Sequence, residues 1–212
     1  MHVKTFTFNP FMENTYVVYE EGKGVIIDPG CFDPAEESQL VSYIERESIH
    51  IEKILNTHGH IDHVLGNAFA MRQFNAPLYI GENDLDTLRS VEAYAPSYGF
   101  QKYTPSQPDF FLKEGDTVEV GSGQLEVLFV PGHAPGHIAF YNRKDGFLIG
   151  GDVLFHESIG RTDLPGGNYD TLIASIREKF FKLNDETLVY PGHGIPTTIS
   201  HEKKYNPFCA IQ

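Results

Sequence analysis

Thr57-His58-Gly59-His60-Ile61-Asp62-His63 sets four potential metal ligands within six residues, directly after the apolar run Ile49 to Leu55. At this chain's composition the pattern H-x-H-x-D-H arises by chance in about one such sequence in a thousand. Imidazole and carboxylate without thiolate suit Zn, Fe or Mn, and neighbouring residues of an irregular loop point in different directions, so one loop can feed two ions. An incidental polar loop is the plainer reading, and it leaves the spacing unexplained. Working outward, Ile49 to Leu55 reads as a buried strand, and Val64 to Phe74 has helical spacing in Leu65, Ala68, Phe69 and Arg72. The histidines are thus expected in a strand-to-helix loop.

Upstream, Val3 to Phe8 alternates with period two, and Tyr16 to Tyr19 and Val25 to Ile27 flank the Gly22-Lys23-Gly24 turn, predicting antiparallel strands. Asp33, Pro34 and Glu36 form a helix start before the apolar stripe Leu40, Val41 and Ile44. Downstream, Pro77 to Ile80 reads as a strand, Asn83 to Ala93 as a helix and Tyr94 to Phe111 as a long irregular loop. Thr117 to Val120 with Leu125 to Val130, and Ile138 to Tyr141 with Phe147 to Ile149, read as hairpins. A helix capped by Asp170 and running to Leu183, then a last strand Leu188 to Tyr190, complete an α/β chain. Its sheets are expected to be mostly antiparallel and covered by helices.

The chain has 212 residues, 16 Lys+Arg against 29 Asp+Glu, and a net charge of −13, which opposes nucleic-acid binding. Its length fits one domain, 1–212. No run reaches the ~18 apolar residues of a membrane span, and no secretory signal opens the chain, so a cytoplasmic protein without a membrane partner is expected. Cys31 and Cys209 are too few for a disulfide framework. The ten histidines stand out, since His is the commonest metal ligand. Outside the first motif, His133 in Val130-Pro131-Gly132-His133, Asp152 in Ile149-Gly150-Gly151-Asp152 and His193 in Tyr190-Pro191-Gly192-His193 repeat one arrangement of strand, glycine and ligand. Ligands at strand ends converge on one sheet edge, and glycine beside them permits close approach or a positive φ.

With these motifs in place the chain resembles the metallo-β-lactamase superfamily, in its glyoxalase II-like (hydroxyacylglutathione hydrolase-like) branch, from Asp28-Pro29-Gly30 to the Asn206-Pro207-Phe208 tail. The resemblance implies a four-layer αβ/βα sandwich. It also implies a first metal held by His58, His60 and His133, a second held by Asp62, His63 and His193, and Asp152 bridging them. Zinc is the first choice for both ions, with iron or manganese as alternatives. Many β-lactamases of the superfamily carry Cys where Asp152 stands, so β-lactam hydrolysis is disfavoured. Only 19 residues follow His193, so the chain is expected to lack the helices that help bind glutathione in full-length relatives, and Ile195 stands where the resemblance leads one to expect Tyr. Arg161, nine positions past Asp152, occupies the family's substrate-contacting basic position.

The implied reaction is hydrolysis of a small-molecule thioester by a water shared between two cations, with Asp62 and Asp152 offsetting part of their charge. A thiolate, whose parent thiol has a pKa of about 8.5, leaves with little acid assistance. Two alternatives stay open. A mononuclear Fe(II) persulfide dioxygenase would use His58, His133 and Asp152, and a non-catalytic metal-binding module would use the same residues without turnover. Asp28 is expected to support a ligand histidine by hydrogen bonding. His137 reads as supporting or structural, His156 as solvent-facing, Cys31 as buried and Phe180-Phe181 as core. Tyr94, Tyr98, Phe100 and Tyr103 serve either as a substrate wall or as packing for their loop.

Overall fold

The computed structural model describes residues 1–211. Its elements run β1 His2–Phe8, β2 Glu13–Glu20, β3 Lys23–Ile27, α1 Pro34–Arg46, β4 His50–Leu55, α2 Ile61–Val64, α3 Asn67–Phe74, β5 Leu78–Gly81, α4 Leu85–Tyr94 and β6 Phe110–Leu112. They continue with β7 Thr117–Val120, β8 Gly123–Phe129, β9 Ile138–Asn142, β10 Phe147–Gly151, β11 Leu154–Phe155, β12 Ser158–Ile159, α5 Tyr169–Glu178, β13 Leu188–Pro191, β14 Thr197–Thr198 and α6 Ile199–Tyr205. Two six-stranded sheets result, ordered β1-β2-β3-β4-β5-β6 and β14-β13-β10-β9-β8-β7.

Three apolar clusters stack these elements into four layers. Between the sheets, Tyr16, Val18, Val25, Ile27 and Leu55 meet Val127, Ile138, Phe140 and Ile149. On the outer face of the first sheet, Val17, Ile26, Ile54 and Leu78 bury Leu40 and Ile44 of α1 and Ala70 of α3. The second sheet covers its outer face in the same way, with Leu148 and Val189 against Leu172 and Ile176 of α5, Phe180 and Phe181, and Ile199 of α6. Removal of this apolar surface from water is the main force that fixes the layers.

The sheets are mixed rather than mostly antiparallel. β3, β4, β5 and β6 pair in parallel, as do β10 and β13. Each of these four pairs is joined by a crossover that carries a helix rather than by a hairpin, as the parallel sense requires. In the second sheet β8 and β10 each run antiparallel to β9, so β8, β10 and β13 share one direction. The C-terminal ends of β3, β4 and β5 therefore lie on one edge of the first sheet, and those of β8, β10 and β13 on one edge of the second. Open parallel sheets offer their ligand crevice at such ends.

Several local expectations shift. The helix expected over Val64 to Phe74 is two helices, because Gly66 N donates to Pro29 O at 2.7 Å and draws the chain out of helical register. Asn168, not Asp170, caps α5, accepting from Thr171 N at 2.9 Å, and α5 ends at Glu178 before a 3-10 turn over Phe180–Lys182. A 3-10 turn over Glu82–Asp84 precedes α4, and the stretch from Tyr94 to Phe111 holds a 3-10 turn over Ala95–Tyr98 and the start of β6. β13 is followed by β14 and α6. Asp33 caps α1 as expected, accepting from Ala35 N and Glu36 N at 2.8 and 2.9 Å. Glu36 does not return to the cap; it accepts from Asn9 N and Phe32 N and so fastens α1 to the β1–β2 turn. No helix among the described residues is long and apolar enough to cross a membrane.

Candidate metal centre

The loops that leave β4, β8, β10 and β13 meet where the two sheets abut, and backbone bonds sew that seam. Ile138 N donates to Thr57 O at 2.8 Å and Asn14 N to Gly192 O at 2.7 Å across it, and within the second sheet Gly192 N donates to Gly151 O at 2.8 Å. His58, His60 and His133 converge as one group and Asp62, His63 and His193 as another. Asp152 lies between them: Oδ1 is 3.4 Å from His63 Nε2, and Oδ2 is 3.5 Å from His133 Nε2 and 3.6 Å from His193 Nε2. Asp62 Oδ2 is 3.1 Å from His193 Nε2.

Four of the imidazoles have the ring nitrogen that faces away from the cluster committed to an acceptor. His133 Nδ1 donates to Arg161 O at 2.8 Å, His193 Nδ1 to Phe11 O at 3.1 Å and His63 Nδ1 to Asp28 Oδ2 at 3.0 Å. Thr57 Oγ1 gives its proton to Asp28 Oδ2 at 2.6 Å, so at 3.0 Å it accepts from His58 Nδ1. These tautomers aim the Nε2 lone pairs of His58 and His133 at each other across 3.2 Å, with His60 Nδ1 2.8 Å from the same His133 atom. His63 Nε2 and Asp152 Oδ1 are buried and without a hydrogen-bond partner. Facing lone pairs and orphaned buried acceptors are costly in a protein interior, and a divalent cation with N/O ligands relieves both. The residues present therefore fit a metal centre.

Electrostatics divides the two halves. Burial, reinforced by the surrounding histidines, pushes His58 well below the ordinary imidazole range, and burial with His133 brings His60 down to about 4. Burial also opposes the charge on His63, but Asp152, Asp62 and Asp28 outweigh it and hold His63 well above that range. His193 is raised against its own burial by its bond to Asp62 and by Asp152. Asp152 and Asp62 would be raised by burial alone; His63 foremost keeps both below the carboxylate range.

Asp28 binds the site from behind. Besides Thr57 Oγ1 and His63 Nδ1, it accepts from Thr57 N at 2.7 Å, and its φ of 51° is a left-handed conformation uncommon outside glycine. An Asp28→Asn change keeps the volume but replaces one acceptor by a donor. It is expected to weaken metal affinity about 10- to 100-fold, read by competition with a chromophoric chelator.

Asp84 was missed in the sequence. Fully buried at the start of α4, it accepts from Gly59 N, and from Gly136 N at 3.0 Å, tying the His58–His63 loop to the loop after His133. Burial raises its carboxyl, while those two N–H groups favour the charged form. Glu82-Asn83-Asp84 carries no motif, and the contact spans distant segments, so no local signal marked it. His137 is also structural: its Nε2 accepts from Asp152 N at 3.0 Å, which sets the backbone of that loop.

Glycine requirements appear where expected. Gly132 has φ of +129°, and a Cβ on Gly192 would lie 2.0 Å from Asp152 Oδ1. A Gly192→Ala variant is expected to displace that carboxylate and lower metal content while leaving far-ultraviolet circular dichroism unchanged.

Arg161 sends its side chain outward, 61% exposed and paired at 2.7 Å with Asp163, whose carboxyl it lowers to about 2. Of the aromatic loop, Phe100 is buried and Tyr94 and Tyr103 pack with it, whereas Tyr98 is exposed beside Phe11, ring centroids 6.0 Å apart. Cys31 is buried, which raises its thiol pKa, and His156 is exposed.

A model of the Metallo-beta-lactamase superfamily matches residues 8–193. The chain belongs to the metallo-beta-lactamase superfamily. Within it, a hydroxyacylglutathione hydrolase of Haemophilus influenzae is 37% identical over 98% of both chains. Among solved structures, the BLEG-1 B3 metallo-beta-lactamase superposes with a TM-score of 0.89 at 34% identity, covering 98% of this chain and 99% of that one. TTHA1623 in a di-iron-bound form superposes at 0.87 with 36% identity, covering 97% and 100%. The mixed α/β sandwich is thus the metallo-beta-lactamase fold, and the protein is a metal-dependent hydrolase of that superfamily.

Proposed function

We propose that the protein hydrolyses thioesters, in the manner of a hydroxyacylglutathione hydrolase, with two divalent cations. His58, His60 and His133 hold one, Asp62, His63 and His193 the other, and Asp152 spans both. The observation that carries this reading is the set of inward nitrogens, fixed in tautomer by outward acceptors, around a carboxylate whose two oxygens face different histidine groups. When bound, such a pair of cations lowers the pKa of a shared water toward 7 and polarises the substrate carbonyl. The protein's own part is to hold the ligands oriented and rigid: Asp28, Thr57 and the carbonyls of Phe11 and Arg161 hold the rings, and His137 and Gly192 hold Asp152.

A thioester suits this arrangement because the inward groups are acceptors, and a thiolate needs no placed acid to leave. The 37% identical hydroxyacylglutathione hydrolase supports the same substrate class. Zinc is the preferred ion, and the di-iron-bound relative makes iron the comparison. Arg161 holds the His133 ring through its carbonyl, so its side chain starts beside the centre, and its surface pair with Asp163 is weak enough to yield to an anionic substrate. Assaying lactoylglutathione cleavage, oxygen uptake with glutathione persulfide and β-lactam opening side by side tests the reading. Thioester cleavage without oxygen uptake is expected; persulfide-dependent uptake with an inert thioester would replace it with the dioxygenase. In the same assay Arg161→Ala is expected to raise KM for anionic thioesters several-fold with kcat held, and an unchanged KM removes Arg161 from substrate binding.

A further inference from the structure

Away from the central cluster, His156, Glu157 and His201 bring three ligand atoms within 4.8 Å of one another. His156 and Glu157 form the turn between β11 and β12, and His201 lies in the first turns of α6. Two segments more than 40 residues apart in sequence thus present imidazole, carboxylate and imidazole to one point.

The turn is built rather than incidental. Glu157 has φ of 55°, the left-handed region that disfavours a side-chain-bearing residue. It is held there by Glu202, fully buried on α6, whose carboxylate oxygens accept from Glu157 N at 3.0 and 3.2 Å. The same carboxylate accepts from Thr197 Oγ1, and from Asn206 Nδ2 at 2.7 Å, so it is itself fixed. Glu202 therefore clamps the turn to the helix that carries His201, and the Glu157 carboxylate faces the His201 ring.

The donor spacing matches a tetrahedral ion on one edge already. With zinc–ligand bonds of about 2.0–2.1 Å, neighbouring ligand atoms lie about 3.3 Å apart. Glu157 Oε1 and His201 Nε2, hydrogen-bonded to each other, are 3.1 Å apart, close to that edge length, and a bound ion would take the place of that bond. The ring of His156 stacks on that of His201, centroids 4.8 Å apart and planes 19° from parallel. His156 is exposed, and its ligand nitrogen already lies within 4.8 Å of the other two ligand atoms.

We propose that His156, Glu157 and His201 form a second, peripheral site for a borderline divalent transition metal of the zinc, cobalt, nickel or copper class. Two imidazoles and one carboxylate select such ions over calcium or magnesium, which take oxygen ligands. A bound ion would tie the β11–β12 turn to α6 through side chains, as Glu202 already does through the backbone. Phe155, next to His156, rests edge-on against the ring of His193 at 6.2 Å, so the tied turn adjoins the centre without sharing a ligand with it.

Equilibrium dialysis of the metal-loaded protein against zinc, with calcium in a parallel cell, tests the site. The native chain is expected to take up one equivalent of zinc more than the His156→Ala/His201→Ala double variant at the same free concentration, and no more calcium. Its melting temperature should also rise further with added zinc than that of the variant. Equal zinc content in the two proteins overturns the proposal, as does an extra equivalent of calcium in the native chain. Since the reading is a difference between proteins with identical central clusters, it does not depend on how many ions that centre holds.

Discussion

Asp152→Ala is expected to lower thioester hydrolysis by about a thousandfold or more while the protein keeps its fold. Asp152 faces both histidine groups, with His63 on Oδ1 and His133 and His193 on Oδ2. Alanine leaves His63 without its foremost anionic neighbour and the two proposed ions without a common ligand. Loss of the stabilisation that a paired centre supplies, several kcal/mol, converts at about 1.4 kcal/mol per decade to at least that factor. Structural damage should be small, because the backbone of Asp152 is held independently by His137 Nε2. Initial rates with lactoylglutathione, taken with the circular dichroism spectrum and metal content, read the effect. Near-native turnover in a folded Asp152→Ala protein would remove the bridging role.

Metal loading is expected to raise the melting temperature by about 10 °C relative to protein kept in chelator. A single site filled at about a thousand times its Kd stabilises the folded chain by about 4 kcal/mol, and a chain of this size shifts by roughly 2–4 °C per kcal/mol, so one filled site already gives a shift of that size. The structural cause is local. Without cations, His58 and His133 present lone pairs to each other, and His63 Nε2 and Asp152 Oδ1 are buried without partners. The folded state carries that unrelieved cost until ions are bound. Calorimetry with zinc and with chelator, at constant protein concentration, measures the shift; coincident melting curves would contradict a centre closed by metal.

The parts of the site that were legible in the sequence share one property: their chemistry is local. His58, His60, Asp62 and His63 fall within six residues, and His133, Asp152 and His193 each follow a strand and a glycine. Asp28 was legible as the residue ending β3 in an Asp-Pro-Gly turn, and the structure places it behind His63 and Thr57. Asp84 was not legible, because its partners, Gly59 N and Gly136 N, come from loops 25 and 52 positions away. For Arg161 the sequence left substrate contact and a surface ion pair equally open, and the structure pairs it with Asp163 at the surface.

The fold shows the same division. Hairpins were legible from alternation and turn residues, as in Thr117 to Val130. The parallel pairings of β3 with β4 and of β10 with β13 were not, because alternation marks a strand without its direction and the hairpins elsewhere pointed to antiparallel sheets. Yet those pairings bring the ligand loops to one edge. Reading Phe110 to Leu112 as part of a loop therefore cost little about the site, whereas mistaking the direction of β4 or β13 would have separated His58 from His193.

Elemental analysis of the protein after gel filtration into metal-free buffer, paired with anomalous scattering from crystals of the same sample, tests the central claim most directly. The account predicts about two tightly held equivalents of zinc, iron or manganese per chain. It places one anomalous peak among His58, His60 and His133 and the other among Asp62, His63 and His193, with Asp152 touching both. A metal-replete preparation that retains none, or crystals of it with no anomalous peak among these side chains, would contradict it.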